Sequence, residues 1–333
     1  MSSPAVPVRR ADAPRAGTTG RRTGGWRAWA TNNPNIRMFQ TLVRREIWEH
    51  RSLWMAPLAV TALLLICALL THGALKIDAT DSSEWLDPRN KTIVFALAQW
   101  ALTIPHYLVM ILLLNFYLLD CLYAERKDRS ILFWKSLPVT DGATVASKIF
   151  VSCVVLPLGT FALALVTDVF FTAIWNLRAA IGHAPELIVW DTVAFLKTQA
   201  VMFLGLVISI LWYAPFFGIF LLASAGLRRN VLMWVTVVPL LTAIGERIAF
   251  GTHWISSLID YRWDGIWSSL RVETAVLGSI TNVGPAEVVS IPEVYDRVHV
   301  GPAFTNIDLW LGILFAAACA YAAARIRRYR DET

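Results

Sequence analysis

Charged residues are scarce in this sequence of 333 residues. They make up 16% of the chain, whereas hydrophobic residues make up 56% and the mean hydropathy is +0.53. An ordinary soluble domain carries about 25% charged residues. The composition therefore argues against a soluble globular protein, and it excludes intrinsic disorder over most of the chain.

Cysteine and histidine are also few, and recognisable catalytic motifs are missing. The four cysteines lie in or beside apolar runs without a C-x-x-C pair, so they predict neither a disulfide framework nor a zinc site. None of the six histidines stands at metal-ligand spacing from another, and H-E-x-x-H and G-x-S-x-G are absent. We expect no catalytic residue and no metal site, which makes a membrane enzyme the weakest functional hypothesis.

Long apolar runs are what the sequence has in abundance. A membrane-spanning helix needs about 20 mostly apolar residues. Six runs qualify, and they cover residues 53–70, 92–119, 146–175, 196–225, 231–250 and 309–324. Prolines inside five of them are tolerated because neighbouring helices satisfy the freed carbonyl groups. The sequence predicts an all-α polytopic membrane protein.

The positions of lysine and arginine predict the orientation. Most of the 30 basic residues lie in residues 1–52, in residues 120–148, at Arg228 and Arg229, and after residue 324. The positive-inside rule then places these segments and both termini in the cytoplasm, with the protein in a bacterial inner membrane. Charge segregated around apolar runs indicates membrane topology and no nucleic-acid partner. Residues 1–33 are predicted to be a disordered basic cytoplasmic arm that touches membrane lipids.

Two stretches outside the spans have helical or aromatic patterns. Apolar residues recur at helical spacing between residues 36 and 47, which predicts an amphipathic helix in the inner interface or one packed on a partner. Residues 253–306 begin with a dense group of aromatic residues. This pattern predicts a short external helical segment that lies on or dips into the outer leaflet, before the last span.

The loop of residues 120–148 combines charges of both signs with apolar residues. Glu125 to Arg129 precede an apolar cluster that includes Leu132, Trp134 and Leu137, and Pro138 ends the helix. Exposed apolar groups rimmed by charge mark interaction sites. The sequence is equally consistent with a protein interaction site and with insertion of the apolar cluster into the lipid interface.

This loop resembles the hallmark of type-2 ABC exporter permeases, which has a Glu, basic residues, roughly G-T-L-E-x-L-L-x-x-P-V-S and a downstream G-K. The matching residues are Glu125, Arg129, Ser130, Ile131, Leu132, Lys135, Ser136, Leu137, Pro138, Val139, Thr140 and Lys148. Ser130 and Ser147 replace glycines of the pattern, and Trp134 replaces a leucine. The resemblance covers residues 34–330, because the number of spans and the flanking helices agree as well.

The resemblance implies a function for the chain. Residues 34–330 would form a transmembrane permease domain that works with a second copy or a related permease chain. Its loop would form a coupling helix docked on a cytoplasmic ABC ATPase subunit, with Glu125, Arg129, Leu132, Trp134, Leu137 and Pro138 as the coupling residues. The chain lacks the phosphate loop G-x-x-x-x-G-K-[ST], so it would hold no cofactor. ATP and Mg²⁺ are expected on the partner.

Ionisable residues inside spans are candidates for a polar path. His106 lies near the middle of the second span, and either lines a path or bonds to a neighbouring span. Glu246 and Arg247 lie in the outer third of the fifth span, where they either pair with another span or face an external vestibule. Asp168 is predicted at the outer boundary, hydrated by water.

Two other functions remain open from the sequence. A secondary transporter would need internal repeats and ion ligands at the membrane midplane, and no convincing repeat is present. A non-transporting scaffold or sensor subunit is the second alternative. The sequence does not identify the substrate, and lipid-like molecules, hydrophobic drugs and peptides all suit an apolar path.

Overall fold

The computed structural model describes residues 34–70, 88–136, 139–182, 188, 190–269 and 301–329, and all regular elements in these ranges are helical. The predicted arm of residues 1–33, most of the segment between residues 270 and 306, and Leu137 and Pro138 lie outside the described residues. The helices are α1 Pro34–Glu49, α2 Ser52–Leu70, α3 Pro88–Asp120, α4 Tyr123–Lys127, α5 Ser130–Ser136, α6 Asp141–Phe150, α7 Leu156–Ile181, α8 Thr192–Trp212, α9 Ala214–Gly226, α10 Val231–Phe250, α11 Trp254–Ser269, α12 Gly301–Thr305 and α13 Ile307–Tyr329.

Six helices are long and apolar enough to cross a membrane, which confirms the predicted number. They lie in α2, in α3 with α4, in α6 with α7, in α8, in α10 and in α13. Helices are present at the predicted amphipathic stretch (α1), in the loop (α5) and after the fifth span (α11). Their placement relative to a membrane stays a prediction.

The fourth span is broken, although the sequence predicted one helix over residues 196–225. Tyr213 separates α8 from α9, and its amide donates to the carbonyl oxygen of Ser209 at 2.9 Å. Pro215 follows in the first turn of α9. Proline has no amide hydrogen and clashes with the preceding turn, so it starts a helix readily but interrupts one that is already running.

The third span is a single helical rod from Asp141 to Ile181 with one irregular turn. Residues Val151–Val155 form a π-helical turn between α6 and α7. Pro157 lies two residues after this turn and cannot donate a helical hydrogen bond. A wider turn at such a place accommodates the missing bond without ending the helix.

Both ends of the described chain meet at one end of the bundle. Arg45 of α1 contacts Glu125 of α4, and Arg327 of α13 contacts the same carboxylate. The backbone amides of Leu122 and Tyr123 both donate to the hydroxyl of Ser224, near the end of α9. We call this the basic end, since it gathers the arginine- and lysine-rich segments.

A stripe of small residues on α13 lets α9 pack closely against it within the chain. The sequence places Gly312, Ala316, Ala320 and Ala324 at four-residue spacing. A Cβ atom added to Gly218 of α9 would lie 2.8 Å from the Cα atom of Ala316. The stripe therefore serves helix packing inside one chain.

This close contact predicts a stability difference between two glycines. Gly218→Ala is expected to lower the free energy of unfolding by about 1–3 kcal/mol, because the backbone of α13 must move to admit the methyl group. Gly205→Ala is the matched control, since no atom lies within 4 Å of the added Cβ in α8. Alanine there is expected to be neutral or to stabilise by up to about 1 kcal/mol. Thermal unfolding in detergent measures both, and equal melting temperatures for the two variants would contradict the packing.

Candidate functional site

A lysine and two glutamates from three distant segments lie together, buried at the basic end. The Nζ atom of Lys148 is 2.9 and 3.0 Å from the two carboxylate oxygens of Glu46, and 3.1 Å from Oε1 of Glu125. All three side chains are almost completely removed from solvent. The contacts join α1, α4 and the start of the third span.

Two arginines and an aspartate complete this group. Arg45 Nη2 lies 2.7 Å from Glu46 and 2.8 Å from Glu125, while Arg327 contacts Glu125 and bonds to Asp141 at 3.0 Å. We call the set the ion cluster, and its members are Arg45, Glu46, Glu125, Asp141, Lys148 and Arg327. Three positive and three negative groups leave these six side chains without net charge. The exposed carboxylate of Glu49 also lies 3.2 Å from Arg45, at the edge of the ion cluster.

Pairing is what allows these charges to be buried. An isolated ion inside a protein carries a large desolvation penalty, whereas paired and hydrogen-bonded ions largely recover it. The hydroxyl of Tyr117 donates a further hydrogen bond to Glu46 at 3.0 Å. Burial alone would lower the pKa of Arg45, but the carboxylates of Glu46, Glu125 and Glu49 outweigh it and raise that pKa above its usual value. Arg45 therefore stays charged.

The short helix α5 lies beside the ion cluster and exposes two apolar side chains. Ile131 is buried, with 1% of its surface exposed, whereas Leu132 and Phe133 are 51% and 61% exposed. Trp134 is half-buried, and the guanidinium of Arg45 lies 3.9 Å from its ring centroid. A cation this close to an aromatic face is attracted to it, so Trp134 fastens α5 to the ion cluster.

The sequence-predicted coupling residues thus separate into different roles. Glu125 is buried in the ion cluster, Leu132 is exposed, and Trp134 is packed inward under Arg45. Arg129 is exposed and joins α4 to α5 in a left-handed backbone conformation with φ of 56°. Phe133 was not among the predicted coupling residues, although it is the most exposed apolar side chain of the described part of α5.

His106 bonds to neighbouring helices inside the bundle. Its Nε2 atom lies 3.0 Å from the hydroxyl of Thr61 on α2 and 3.3 Å from that of Thr167 on α7. Its Nδ1 atom lies 2.9 Å from the carbonyl oxygen of Leu102, so Nδ1 carries a hydrogen and donates it. Both ring nitrogens are satisfied by protein, which matches the second of the two hypotheses for this residue.

Asp168 is buried, which corrects the prediction that water hydrates it. The amide of Gln199 donates to its Oδ2 atom at 2.8 Å, and Gln199 also donates to Gln99 at 3.2 Å. The hydroxyl of Thr103 lies 3.5 Å from the same carboxylate oxygen. Helices α3 and α8 pack over the face of α7 that carries Asp168. The position of a residue along its own helix does not show whether neighbouring helices bury it. We call Gln99, Thr103, Asp168 and Gln199 the polar layer.

Glu246 caps the following helix, a role that the sequence analysis did not include. Its Oε1 accepts from the backbone amide of Trp254 at 2.6 Å and from the hydroxyl of Thr252 at 2.7 Å. Its Oε2 accepts from the amide of Ile255 at 2.9 Å. A carboxylate at the first turn of a helix accepts hydrogen bonds from free backbone amides and interacts favourably with the positive end of the helix dipole. Arg247 is exposed beside it, at the end of α10.

These features define the class of protein. Six helices of the described chain are long and apolar enough to cross a membrane, as expected of a multi-pass helical membrane protein. Among the described residues, no group of histidine, cysteine, aspartate or glutamate side chains has the arrangement of a metal site. Comparison with known protein families, with curated proteins and with solved structures found no match.

Proposed function

We propose that this protein is the membrane-spanning permease subunit of an ATP-driven ABC exporter. The observation that carries the proposal is α5, which exposes Leu132 and Phe133 while its other face is fixed to the buried ion cluster. In this proposal α5 is the coupling helix, and it docks in a groove on a separate cytoplasmic ATPase subunit. ATP and Mg²⁺ bind to that subunit.

The exposed surface of α5 has the composition of a docking site. Large apolar side chains supply most of the affinity in protein interfaces, and charges around them set orientation and association rate. Leu132 and Phe133 supply the apolar part. Lys127, Asp128 and Arg129 are exposed next to them and supply charges of both signs.

The ion cluster supports transmission of force from α5 into the bundle. Glu125 lies in α4, immediately before α5, and contacts Arg45, Lys148 and Arg327. These three residues belong to α1, the third span and the last helix. A displacement of α5 caused by closure of the ATPase subunits would therefore reach three parts of the bundle through charged contacts.

The exposed surface of α10 supports a second chain in the complex. All 20 residues of α10 are described, and Val231 is the only buried one. In our proposal a second copy or a related permease chain joins this subunit, and the path runs between them. The substrate is hydrophobic, lipid-like or a peptide, and the basic end faces the bacterial cytoplasm.

The proposal predicts which protein accompanies the chain in its native membrane. Gentle purification with a mild detergent is expected to recover an ATPase that carries a phosphate loop, and the complex is expected to hydrolyse ATP. Hydrolysis should increase when the complex is reconstituted with its substrate. Mass spectrometry of the purified complex and phosphate release measure these outcomes. A pure, folded protein with no nucleotide-hydrolysing companion would contradict the proposal.

The polar layer favours a secondary transporter as the other candidate. Ionisable groups buried in membrane helices are functional candidates by default, and Asp168 is a buried carboxylate with uncharged hydrogen-bond partners. Transport that continues without ATP but stops when the proton gradient collapses would favour this candidate. Recovery of the ATPase with no substrate-dependent hydrolysis would instead favour a scaffold or sensor subunit.

A further inference from the structure

A second group of charges at the basic end lines an open pocket. The pocket has a volume of about 390 Å³, and its lining residues are Tyr123, Arg126, Lys127, Arg129, Arg228 and Arg229. Five of these six side chains are cationic and none is acidic. The pocket lies between α4 and the turn that joins α9 to α10.

This pocket differs from the ion cluster in its charge balance. The three cations of the ion cluster are matched by three carboxylates. In contrast, within the described part of the chain no carboxylate lies within 4.0 Å of the cationic groups of Lys127, Arg129, Arg228 or Arg229. These four side chains are exposed. Their positive charge is available to an anion from outside the chain.

The guanidinium of Arg126 is held in a fixed position at the back of the pocket. Its Nη2 atom donates to the carbonyl oxygens of Ser224 at 2.6 Å and Leu227 at 2.7 Å. These contacts tie α4 to the end of α9. The cationic wall of the pocket is therefore built partly from a buried, positioned side chain.

An apolar groove adjoins the basic pocket. The groove has a volume of about 380 Å³ and shares Tyr123 with the pocket. Most of its lining is apolar or aromatic, and the lining residues are His50, Ser52, Leu53, Leu113, Phe116, Tyr117, Leu119, Asp120, Tyr123, Asn230, Val231 and Leu232. Arg228 and Arg229 line the pocket, and the next three residues line the groove. Asn230, with φ of 49°, turns the chain from one into the other.

We propose that the basic pocket binds the phosphate headgroup of an anionic phospholipid, and that an acyl chain of the same lipid lies in the apolar groove. A molecule with an anionic head joined to an apolar tail matches both surfaces in the order in which they occur. Basic pockets between membrane helices at the positively charged side recognise such headgroups. The membrane-spanning helix α10 begins at Val231, two residues after Arg229, which places the pocket at headgroup level.

The proposal is independent of an ATPase partner, because it requires only that the chain lies in a bilayer. The probes are dioleoylphosphatidylglycerol, dioleoylphosphatidylcholine and inorganic phosphate, each titrated into the full-length protein in detergent and followed by native mass spectrometry. We expect saturable binding of the phosphatidylglycerol, at least roughly tenfold tighter than binding of the zwitterionic lipid. Inorganic phosphate is expected to compete only weakly, since it cannot occupy the groove.

Substitutions of arginine test whether the lipid binds in the basic pocket. Arg228→Gln with Arg229→Gln is expected to weaken phosphatidylglycerol binding at least roughly tenfold, as two cations near the phosphate are lost. Arg37→Gln with Arg44→Gln removes the same charge from exposed positions of α1 and is expected to change binding less than twofold. If the first variant does not fold, Lys127→Gln with Arg129→Asn replaces it, because asparagine tolerates the left-handed backbone at residue 129.

Three results would overturn the proposal. Equal binding of the two lipids would show that charge recognition is absent. Equal weakening by the α1 control would show that the basic end attracts lipid without a defined pocket. Inorganic phosphate that displaces the lipid at comparable concentrations would show a site for free anions in place of a lipid site.

Discussion

Replacing Lys148 with methionine is expected to lower the free energy of unfolding by about 3–5 kcal/mol. The substitution keeps most of the length of the side chain but removes the charge that lies between Glu46 and Glu125. The carboxylates then remain buried with one positive charge fewer beside them. Removing one partner of a buried ion pair lowers the free energy of unfolding by about 3–5 kcal/mol. Thermal and denaturant unfolding of the purified protein in detergent measure the change. Lys127→Met is the matched control, since Lys127 is exposed and is expected to change stability by less than about 0.5 kcal/mol.

A double-mutant cycle separates the ion pair from general effects of substitution. Glu46→Gln alone also leaves the ion cluster with an unbalanced charge, whereas Glu46→Gln combined with Lys148→Met restores neutrality. The double variant is therefore expected to be more stable than the sum of the single changes predicts, by about 0.5–3 kcal/mol. Simple additivity would show that the two side chains do not interact in the way that their 2.9 Å separation indicates.

Replacing Leu132 and Phe133 with aspartate is expected to abolish productive contact with the proposed ATPase subunit. Both side chains are more than half exposed, so the variant should fold and insert normally. Loss of two central apolar anchors of an interface weakens binding by at least about a hundredfold. Affinity for the purified ATPase and ATP hydrolysis by the reconstituted complex are the measurements. Melting temperature serves as the check on folding.

A control that adds a negative charge but keeps the apolar side chains tests whether the apolar contacts themselves matter. Ser136→Asp introduces a negative charge on the same helix at an exposed position without removing an apolar side chain. We expect this variant to bind the ATPase with nearly unchanged affinity. Full binding and full hydrolysis by the Leu132→Asp, Phe133→Asp variant would show that α5 is not the coupling helix.

The membrane-spanning helices were predictable because their signal is local. A run of about 20 apolar residues has few other stable structures available, and the predicted span at residues 231–250 coincides with α10. The interruption at Tyr213 was missed because prolines inside other spans, such as Pro105 in α3, leave the helix continuous. Whether a proline ends or merely bends a helix depends on the packing around it.

The ion cluster was not predictable, since its partners are far apart in the chain. Glu46 and Lys148 are 102 residues apart, and Glu125 and Arg327 are 202 residues apart. Glu125 and Lys148 were noticed only through the loop resemblance. Glu46 and Arg327 stand among several charged neighbours in sequence, and nothing local distinguishes a buried charge from an exposed one. The same limit explains Asp168, whose burial depends on helices α3 and α8.

The third span connects the ion cluster to the polar layer. Lys148 lies near its lower end and Asp168 lies 20 residues further on, about 30 Å away at 1.5 Å per residue. The π-helical turn at Val151–Val155 lies between them, just above Lys148. In the proposed exporter the third span would move as one helix that bends only at the π-helical turn near Lys148. Movement of the ion cluster at the cytoplasmic surface would then change the orientation of the helix beyond this turn. That part of the helix carries the carboxylate of Asp168.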